Sequence, residues 1–351
     1  MEQQSKKIAI IIVNWNGKKL LKNCLDSVFN QTYLNFDVYF VDNGSNDGSS
    51  DYVLENYLNA KIIQLEKNTG FARGNNIGIK KALEDDKVEY IVTINNDTKA
   101  EINFLEKLVV SAENNKRTGS VAPKMKFFYE PELIDSVGVL IHKDGGGLSR
   151  GNRELDEGQF DQQEEIFGAC GGAALYKKAM LKDIEYGDNE YFDNDFFAYY
   201  EDLDLAWRAR LREWKTITCP EAVIHHIHSA TAVSYSSFKA FHVNRNRFFV
   251  IIKSYPFWMM IKALFILTPI RYLHLFNSIR TKKGPSHKLK SNTSGLEPIK
   301  IVLRGWLSVI YFMPKMIIKR WQIQRARKVN NLQVKKWFED YSAKMEDMIY
   351  K

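Results

Sequence analysis

Features that would point to several other classes of protein are absent from this chain of 351 residues. Its three cysteines, Cys24, Cys170 and Cys219, are odd in number and lack the spacing of metal ligands, which excludes a disulfide framework and a zinc site. The apolar run from Lys7 to Val13 is too short for a secretory signal. No internal repeat or low-complexity tract is found. These absences favour a soluble intracellular protein with one large domain and an appendage.

Long apolar runs without charges are also absent, even in the C-terminal third. None reaches the roughly 18–20 residues that a membrane-spanning helix requires. Charges and prolines interrupt the apolar segments at Lys262, Pro269, Arg271, Arg304, Pro314 and Lys315. Residues 280–351 hold 17 Lys and Arg against five Asp and Glu, whereas the rest of the chain is net acidic. Aromatic clusters between these charges predict basic amphipathic helices that lie in an anionic membrane interface.

Two alternatives remain for these helices: they pack on the rest of the protein, or they form a homodimer. Nucleic-acid binding is not expected. The polar stretch from Thr281 to Pro298 predicts a loop between two pairs of helices, because it contains Gly, Pro and Ser.

Strand and helix patterns alternate along the first hundred residues. The predicted strands cover residues 7–13, 37–41, 61–65 and 90–94, and the first is followed by apolar residues at helical spacing. Short connections between them indicate a parallel sheet covered by helices. Each strand ends in a polar loop, and ligands bind beyond the carboxyl ends of strands in such sheets. The four polar ends therefore predict a nucleotide pocket.

The fourth strand ends in Asn95, Asn96 and Asp97. Asp97 is a natural ligand for a hard cation, and Asn95 or Asn96 can add a carbonyl contact. A turn alone would also explain this sequence. A second acidic cluster, which contains Glu201, Asp202 and Asp204, lies about a hundred residues further on, behind an aromatic run.

Acids in the first turn of a helix are stabilised by the free N–H groups there. A carboxylate held beside aromatic rings is a candidate general base, because partial desolvation raises its basicity. The alternative is a capped helix with an ion pair between Asp204 and Arg208 at i,i+4 spacing.

Five motifs in this order resemble those of glycosyltransferase family 2, whose members have the GT-A fold. The motifs are Val13-Asn14-Trp15-Asn16, Val41-Asp42-Asn43-Gly44-Ser45-Asn46-Asp47-Gly48, Asn68-Thr69-Gly70-Phe71-Ala72, Asn95-Asn96-Asp97 and Glu201-Asp202-Leu203-Asp204-Leu205. The resemblance covers roughly residues 6–235, and within the family it is greatest to bacterial rhamnosyltransferase-type enzymes of surface polysaccharide synthesis. It implies an α/β fold of the GT-A type, with a Rossmann-like, mainly parallel sheet, followed by a C-terminal amphipathic helical region.

The resemblance implies a role for each motif. Asp202 would deprotonate the acceptor hydroxyl, with Glu201 beside it. Asp97 would bind Mn²⁺ or Mg²⁺, although Asn95 replaces the first acid of the family's metal motif. The expected nucleotide-sugar site comprises Asn14, Asn16, Asp42, Asn43, Asn68, Gly70, Ala72, Asn75, Asn95 and Asn96. The expected acceptor side comprises Gly171, Gly172, Asp204 and Arg208.

A histidine that completes the metal site is also implied. Three histidines, His225, His226 and His228, lie close together after the Glu201–Leu205 motif, called the acidic box below. On a strand, His226 and His228 would share one face and His225 would point away. The spacing to Thr231 favours His226 as the ligand.

The expected function is an inverting sugar transfer from a nucleotide sugar to a lipid-linked saccharide at the cytoplasmic face of the cell membrane. The first candidate donor is dTDP-rhamnose, and a UDP-hexose is the alternative. Residues 1–250 would form the catalytic domain, with the donor side at about 1–125 and the acceptor side at about 126–250. Residues 251–351 would bind the membrane. Two other classes, a nucleotidyltransferase and a catalytically silent membrane scaffold, remain alternatives.

Overall fold

The structure is a computed structural model and describes residues 5–187, 189–227, 236–293 and 296–350. The chain forms two compact units. The N-terminal unit comprises residues 1–139, 149–209 and 214–231. The C-terminal unit comprises residues 140–148, 210–213 and 232–351.

Twelve strands are found in the described part of the chain. They are β1 Lys7–Asn14, β2 Phe36–Asp42, β3 Ala60–Gln64, β4 Val88–Ile94, β5 Thr98–Ala100, β6 Thr118–Phe127, β7 Ile134–Ser136, β8 Val139–Ile141, β9 Gly147–Ser149, β10 Glu165–Ile166, β11 Ala173–Lys177 and β12 Lys215–His226. Ten of them form one sheet with the order β10-β12-β6-β11-β4-β1-β2-β3, in which β5 pairs with β12 and β7 with β6. Strands β8 and β9 pair separately.

Thirteen α-helices accompany these strands in the described residues. They are α1 Lys18–Phe29, α2 Ser49–Asn56, α3 Phe71–Ala82, α4 Phe104–Glu113, α5 Lys178–Ile184, α6 Glu201–Leu211, α7 Ser237–Ser254, α8 Phe257–Lys262, α9 Thr268–Arg280, α10 Gly284–Ser291, α11 Glu297–Ala326, α12 Asn331–Asp340 and α13 Met345–Tyr350. A π-helical turn, Ala263–Leu267, joins α8 to α9.

Both faces of β1 are buried, which is why its sequence is apolar without alternation. Ile8, Ile10 and Ile12 pack in one core cluster together with residues of α1. Ala9 and Ile11 pack in a second cluster, on the other face, together with residues of α3. The sheet is therefore covered on both sides, and the predicted α/β fold is confirmed.

The functional edge of the sheet follows from strand direction. Strands β3, β2, β1 and β4 are mutually parallel, and Asn14 at the end of β1 lies opposite Asp42 at the end of β2. Strand β11 runs antiparallel between β4 and β6, so β6 runs in the same direction as β4, and β12 is parallel to β6. His226, the last residue of β12, therefore ends at the same edge as Asn14, Asp42 and the 95–97 segment.

The C-terminal unit is built around α7 and α11, which pack along each other. Asp144 is fully buried within this unit and accepts a hydrogen bond of 2.8 Å from Arg271 Nη1. Arg247 donates to the main-chain oxygen of Asp144. The nearby Arg271 and Arg247 guanidiniums, with His142, hold the pKa of Asp144 below its usual range despite the opposing effect of burial.

The prediction of a loop from Thr281 to Pro298 is wrong, because α10 forms within it. Pro285 lies in the first turn of α10, where its missing N–H costs no intrahelical hydrogen bond. Gly, Pro and Ser are therefore helix-start residues here rather than loop residues.

Apolar side chains are exposed along two stretches of the C-terminal unit. On α11 they include Leu303, Leu307, Ile310, Tyr311, Ile318 and Trp321. The buried residues of α11 include Ile301, Gly305, Val309 and Met316, which helical periodicity places on the opposite face. The stretch Phe257–Arg280 likewise exposes Trp258, Phe265, Leu273 and Phe276. By length and composition alone, and contrary to the expectation from the sequence, the helical stretches Phe257–Arg280 and Glu297–Ala326 could each cross a membrane.

Candidate active site

Asp97 and His226 meet at the edge of the sheet. Strand β5 pairs antiparallel with β12, so that Thr98 lies opposite His226, and the amide of Ile227 donates to the main-chain oxygen of Asp97 over 2.9 Å. The His226 Nε2 atom lies 3.2 Å from Asp97 Oδ1, and both side chains are largely buried. Two residues that are 129 positions apart in the sequence thus present one nitrogen and one oxygen ligand side by side.

The other nitrogen of His226 contacts an acid that the sequence analysis missed. His226 Nδ1 lies 2.7 Å from Asp135 Oδ2, on β7. Burial alone would lower the pKa of His226, but the hydrogen bonds to Asp135 and Asp97 outweigh it and raise the pKa to about 10. The only sequence signal for Asp135 is an acid between the apolar residues Ile134 and Val137, at a position where a strand would bury it.

The neighbouring histidines have different surroundings. His225 points to the other side of β12, where its Nε2 atom lies 3.0 Å from Glu101 Oε1. His228 and Thr231, on which the choice of His226 partly rested, lie outside the described residues.

Asp202 lies at the start of α6 and is tied to the loop before β11. Its Oδ2 atom accepts a hydrogen bond of 2.9 Å from the amide of Gly171, and its Oδ1 atom accepts one of 2.7 Å from the amide of Leu203. Gly172 in turn accepts a hydrogen bond of 2.8 Å from the amide of Asn95. A short path of backbone contacts therefore links the acidic box to the segment that contains Asp97.

Glu201 and Asp202 form a coupled acidic pair with unequal environments. Burial raises the pKa of Asp202, while the two N–H donors oppose that rise. Burial and the neighbouring Asp202 raise the pKa of Glu201 well above its usual range, and Glu201 Oε2 is buried without a hydrogen-bond partner among the residues that the structure describes. The N–H donors of Gly171 and Leu203 therefore favour the charged form of Asp202, the candidate base.

Buried polar side chains lie at the ends of β1 and β2. Asn14 is fully buried, and its side chain accepts a hydrogen bond of 2.6 Å from Asn96 Nδ2 and donates one of 3.2 Å to Ser45 Oγ. Asp42 accepts from the amide of Ser45 and from the Ser50 hydroxyl. In this structure Asn14 and Asn96 contact each other, while Asn16 is exposed at the rim.

The glycine-containing loop before α3 is clamped from two sides. Asn43 donates to Asn68 Oδ1 over 3.2 Å and to the main-chain oxygen of Gly70 over 3.1 Å. The amide of Ala72 donates to the main-chain oxygen of Phe197. Gly70 has φ +86°, and a Cβ there would lie 2.5 Å from that oxygen, so only glycine fits. The loop before α3 and the residues before the acidic box are therefore in direct contact.

The remaining predicted residues are buried and paired. Asp204 and Arg208 form an ion pair of 2.9 Å inside α6, and Arg208 also donates to the main-chain oxygen of Ile184. From the sequence, both residues were expected on the acceptor side of the site. In the structure, their contacts instead stabilise the helix and its surroundings. Asn75 donates to the main-chain oxygen of Phe71. The neighbouring Asn76, absent from the sequence prediction, binds the backbone of Phe192 through both its nitrogen and its oxygen.

Asp97 and His226 fit a divalent cation as a partial site. Two ligands about 2.1 Å from one ion and at right angles to each other lie about 3 Å apart, close to the 3.2 Å observed here. In the described ranges no group of three or more His, Cys, Asp or Glu side chains converges as a metal cage. A Mg²⁺-like ion is usually held by one or two carboxylates together with substrate phosphates. The residues therefore fit a cation shared with a bound diphosphate.

Comparisons with known proteins agree with this architecture. The poly-β-1,6-N-acetyl-D-glucosamine synthase of Staphylococcus epidermidis is 22% identical over 223 residues, which are 63% of this chain and 50% of the relative. The crystal structure of residues 1–349 of S. aureus TarS matches 91% of this chain and 90% of its own with 17% identity and a TM-score of 0.51. The crystal structure of GalNAc-T7 with UDP, GalNAc and Mn²⁺ matches 90% of this chain and 58% of its own, with 14% identity and a TM-score of 0.58.

The fold is therefore GT-A, with a polar strand edge as its candidate site. The family model described as glycosyl transferase family 2 matches residues 9–185, half of the chain. This protein belongs to glycosyltransferase family 2, as its five motifs predicted. The chain spans about half the length of the curated relative from S. epidermidis.

Proposed function

We propose that this protein is an inverting glycosyltransferase that moves a sugar from a nucleotide donor to a saccharide acceptor. The observation that carries the proposal is the arrangement at one sheet edge. Asp97 and His226 lie 3.2 Å apart there, and the backbone path through Gly171 and Gly172 connects Asp202 to the same edge. Asp97 and His226 can hold a charged leaving group through a cation, and Asp202 can accept a proton.

The donor nucleotide lies across the ends of β1 and β2. Asp42, which already orders the loop that starts at Ser45, accepts hydrogen bonds from the base or ribose. Gly70 and Ala72 allow the backbone to approach the nucleotide closely. Asn14, Asn43 and Asn96 hold these loops in place through their mutual contacts, and thus fix the pocket from below.

Transfer requires removal of one proton and departure of one diphosphate. Asp202 takes the proton of the acceptor hydroxyl as its oxygen attacks the anomeric carbon. The bond from that carbon to the diphosphate oxygen breaks on the opposite face, and the nucleoside diphosphate leaves with the electron pair, so the configuration inverts. Mn²⁺ or Mg²⁺, when bound by Asp97 and His226, would neutralise charge on the diphosphate.

Metal dependence is tested with a chelator. Excess EDTA should abolish sugar transfer by the full-length protein, and added Mn²⁺ should restore it. Full activity in EDTA would contradict the metal assignment while leaving Asp202 as base. Asn95 in place of an acid removes one charge from this region, so we expect binding of free Mn²⁺ to be weak and to strengthen when UDP is present.

A UDP-linked sugar and dTDP-rhamnose are the two candidate donors. One relative is a poly-β-1,6-N-acetyl-D-glucosamine synthase, and the related structure of GalNAc-T7 contains UDP and GalNAc, which favours the UDP-linked candidate. The rhamnose prediction rests on resemblance alone. A thermal-shift screen with both nucleotide sugars separates them, because at equal concentration the donor that binds more tightly raises the melting temperature further.

The acceptor is a lipid-linked saccharide at the inner face of the cell membrane. The exposed apolar face of α11, with the basic residues Lys300, Arg304 and Lys315 outside the buried face, supports docking on an anionic bilayer. Residues 1–250 would carry the catalytic activity and residues 251–351 the membrane association, although the C-terminal unit as folded already includes α7 from residue 237. Sedimentation with vesicles tests this: anionic vesicles should carry the protein down at low salt, whereas a dimer in solution without vesicle binding would favour self-association.

A further inference from the structure

His226 is held between two carboxylates, and each one contacts a different ring nitrogen. Asp97 lies 3.2 Å from Nε2, whereas Asp135 lies 2.7 Å from Nδ1. The two nitrogens of an imidazole point in divergent directions, so one cation cannot bind both. With Asp97 and Nε2 facing the proposed cation, Asp135 is on the far side of the ring, where it accepts the Nδ1 proton.

The position of Asp135 is itself fixed by the fold. It lies on β7, which pairs with β6 at Met125 and Lys126. Asp135 is 4% exposed, so its carboxylate is shielded from water. Asn152 donates to the main-chain oxygen of Asp135 over 3.0 Å and to its Oδ1 atom over 3.3 Å. Asn152, which lies between β9 and β10, therefore anchors the Asp135 carboxylate that faces His226.

We propose that Asp135 is a positioning residue for the metal-binding histidine, and that Asn152 supports it; this rests on the cation site proposed above. By accepting the Nδ1 proton, Asp135 fixes the ring orientation. The Nε2 proton, which faces Asp97 in the cation-free protein, is displaced by the cation, and the freed lone pair is then directed at it. Carboxylate–histidine–metal arrangements of this kind strengthen the ligand, and loss of the outer residue typically weakens metal binding about 10- to 100-fold.

The test compares two variants of Asp135 in the full-length protein. Mn²⁺ is titrated alone and with UDP, and free Mn²⁺ is measured by its electron paramagnetic resonance signal. Asp135→Ala removes the acceptor and should weaken Mn²⁺ binding about 10- to 100-fold. Asp135→Asn keeps the shape and an acceptor oxygen but loses the charge, so a smaller loss is expected. Asn152→Ala should also give a smaller loss.

Glu101→Gln is the matched control. It removes the carboxylate that faces His225, 3.0 Å from Nε2, on the other side of the same strand. Mn²⁺ affinity should stay unchanged in this variant. A purely structural role for Asp135 would change stability without changing the environment of the bound ion. Electron spin-echo measurements of the ¹⁴N coupling between Mn²⁺ and imidazole should therefore show a reduced coupling in Asp135→Ala and an unaltered one in Glu101→Gln.

The outcomes separate this inference from the proposed function. If the wild type binds Mn²⁺, His226→Ala loses it, and Asp135→Ala and Asp135→Asn both bind it as the wild type does, the positioning role is overturned while the cation site stands. If the wild type itself does not bind Mn²⁺, either alone or with UDP, the cation site and the positioning role both fall. Should Asp135→Ala fail to fold, Asp135→Asn and Asn152→Ala give the decisive comparison.

Discussion

The main departures from ordinary packing differ between the two units, although the C-terminal unit also buries the ion pair of Asp144 and Arg271 and the N-terminal unit also exposes Leu34 and Leu58. The N-terminal unit buries polar side chains, among them Asn14, Asp97 and Glu201, at one edge of a sheet. The C-terminal unit exposes large apolar side chains, such as Trp258 at 79% and Tyr311 at 80%. Polar groups are costly to bury, and contiguous apolar surface is costly to expose to water. Each departure therefore marks a surface whose natural partner is something other than water.

The chemistry of the two partners differs accordingly. Buried carboxylates and amides, held by hydrogen bonds between loops, form a pre-organised polar pocket for a charged ligand. Apolar faces flanked by Lys and Arg suit a surface with an apolar interior and anionic headgroups. We therefore expect the proposed nucleotide-sugar chemistry and the proposed membrane docking to be separable, so that each could be removed without the other.

The largest effect is expected at Asp202. Asp202→Asn keeps the size of the side chain and its hydrogen bonds with Gly171 and Leu203 partly intact, but it cannot accept the acceptor proton. Turnover should fall by about two to four powers of ten, while nucleotide binding remains. Rates of sugar transfer and UDP affinity from calorimetry are the two measurements. Near-normal turnover would remove Asp202 from the role of base.

The second largest effect is expected at the exposed apolar face of α11. Leu307 and Tyr311, 67% and 80% exposed, are replaced together by Ser. Affinity for anionic vesicles should fall about tenfold or more, because fully burying one such side chain is worth about 1.5–3 kcal/mol. The matched control is Leu34→Ser with Leu58→Ser in the N-terminal unit, where both leucines are more than 80% exposed. Equal losses in the two double variants would contradict a specific docking face.

Gly70→Ala should have a smaller but clear effect on stability. The new Cβ would lie 2.5 Å from the main-chain oxygen of Phe197, in a backbone conformation with φ +86°. A loss of about 1–3 kcal/mol in the free energy of unfolding is expected, together with weaker nucleotide binding. Gly158→Ala is the control, because its φ is +85° but its Cβ would meet only the side chain of Asp161, at 3.2 Å. Comparable losses in both variants would assign the effect to backbone conformation alone.

Much of the fold could be predicted because its signals are local. Apolar runs with polar ends gave the parallel strands, and the run from Lys7 to Val13 corresponds to β1 within one residue. Antiparallel β11 between β4 and β6 could not be predicted this way, since its place depends on pairing between distant residues. The prediction of a loop from Thr281 to Pro298 failed because Pro and Gly begin a helix as readily as they interrupt one.

The same difference between local signals and contacts between distant residues holds for the candidate site. Asp97, His226 and Asp202 could be predicted as site residues because each lies in a short motif. Asp135 could not be predicted, because its contact with His226 arises only where β7 approaches that residue across 91 positions of sequence. Asn14 and Asn43 were also predicted, but motifs cannot tell a residue that faces a ligand from one that holds a loop. Their hydrogen bonds with Asn96, Asn68 and Gly70 become visible only in the structure.

The last expected effect depends on pH and concerns the proton on Glu201. Its pKa is raised well above the usual range by burial and by Asp202, so the folded protein keeps a proton that the unfolded chain releases above about pH 4.3. Stability contributed by the neutral acid is therefore lost as pH rises toward the folded-state pKa, by at most about 1.4 kcal/mol per pH unit. Glu201→Gln cannot titrate, so its melting temperature should gain on that of the wild type as pH increases from 4 to 8. The exposed Glu55→Gln controls for loss of a surface charge. A constant difference between Glu201→Gln and the wild type across this range would mean that Glu201 ionises as an ordinary glutamate despite its burial.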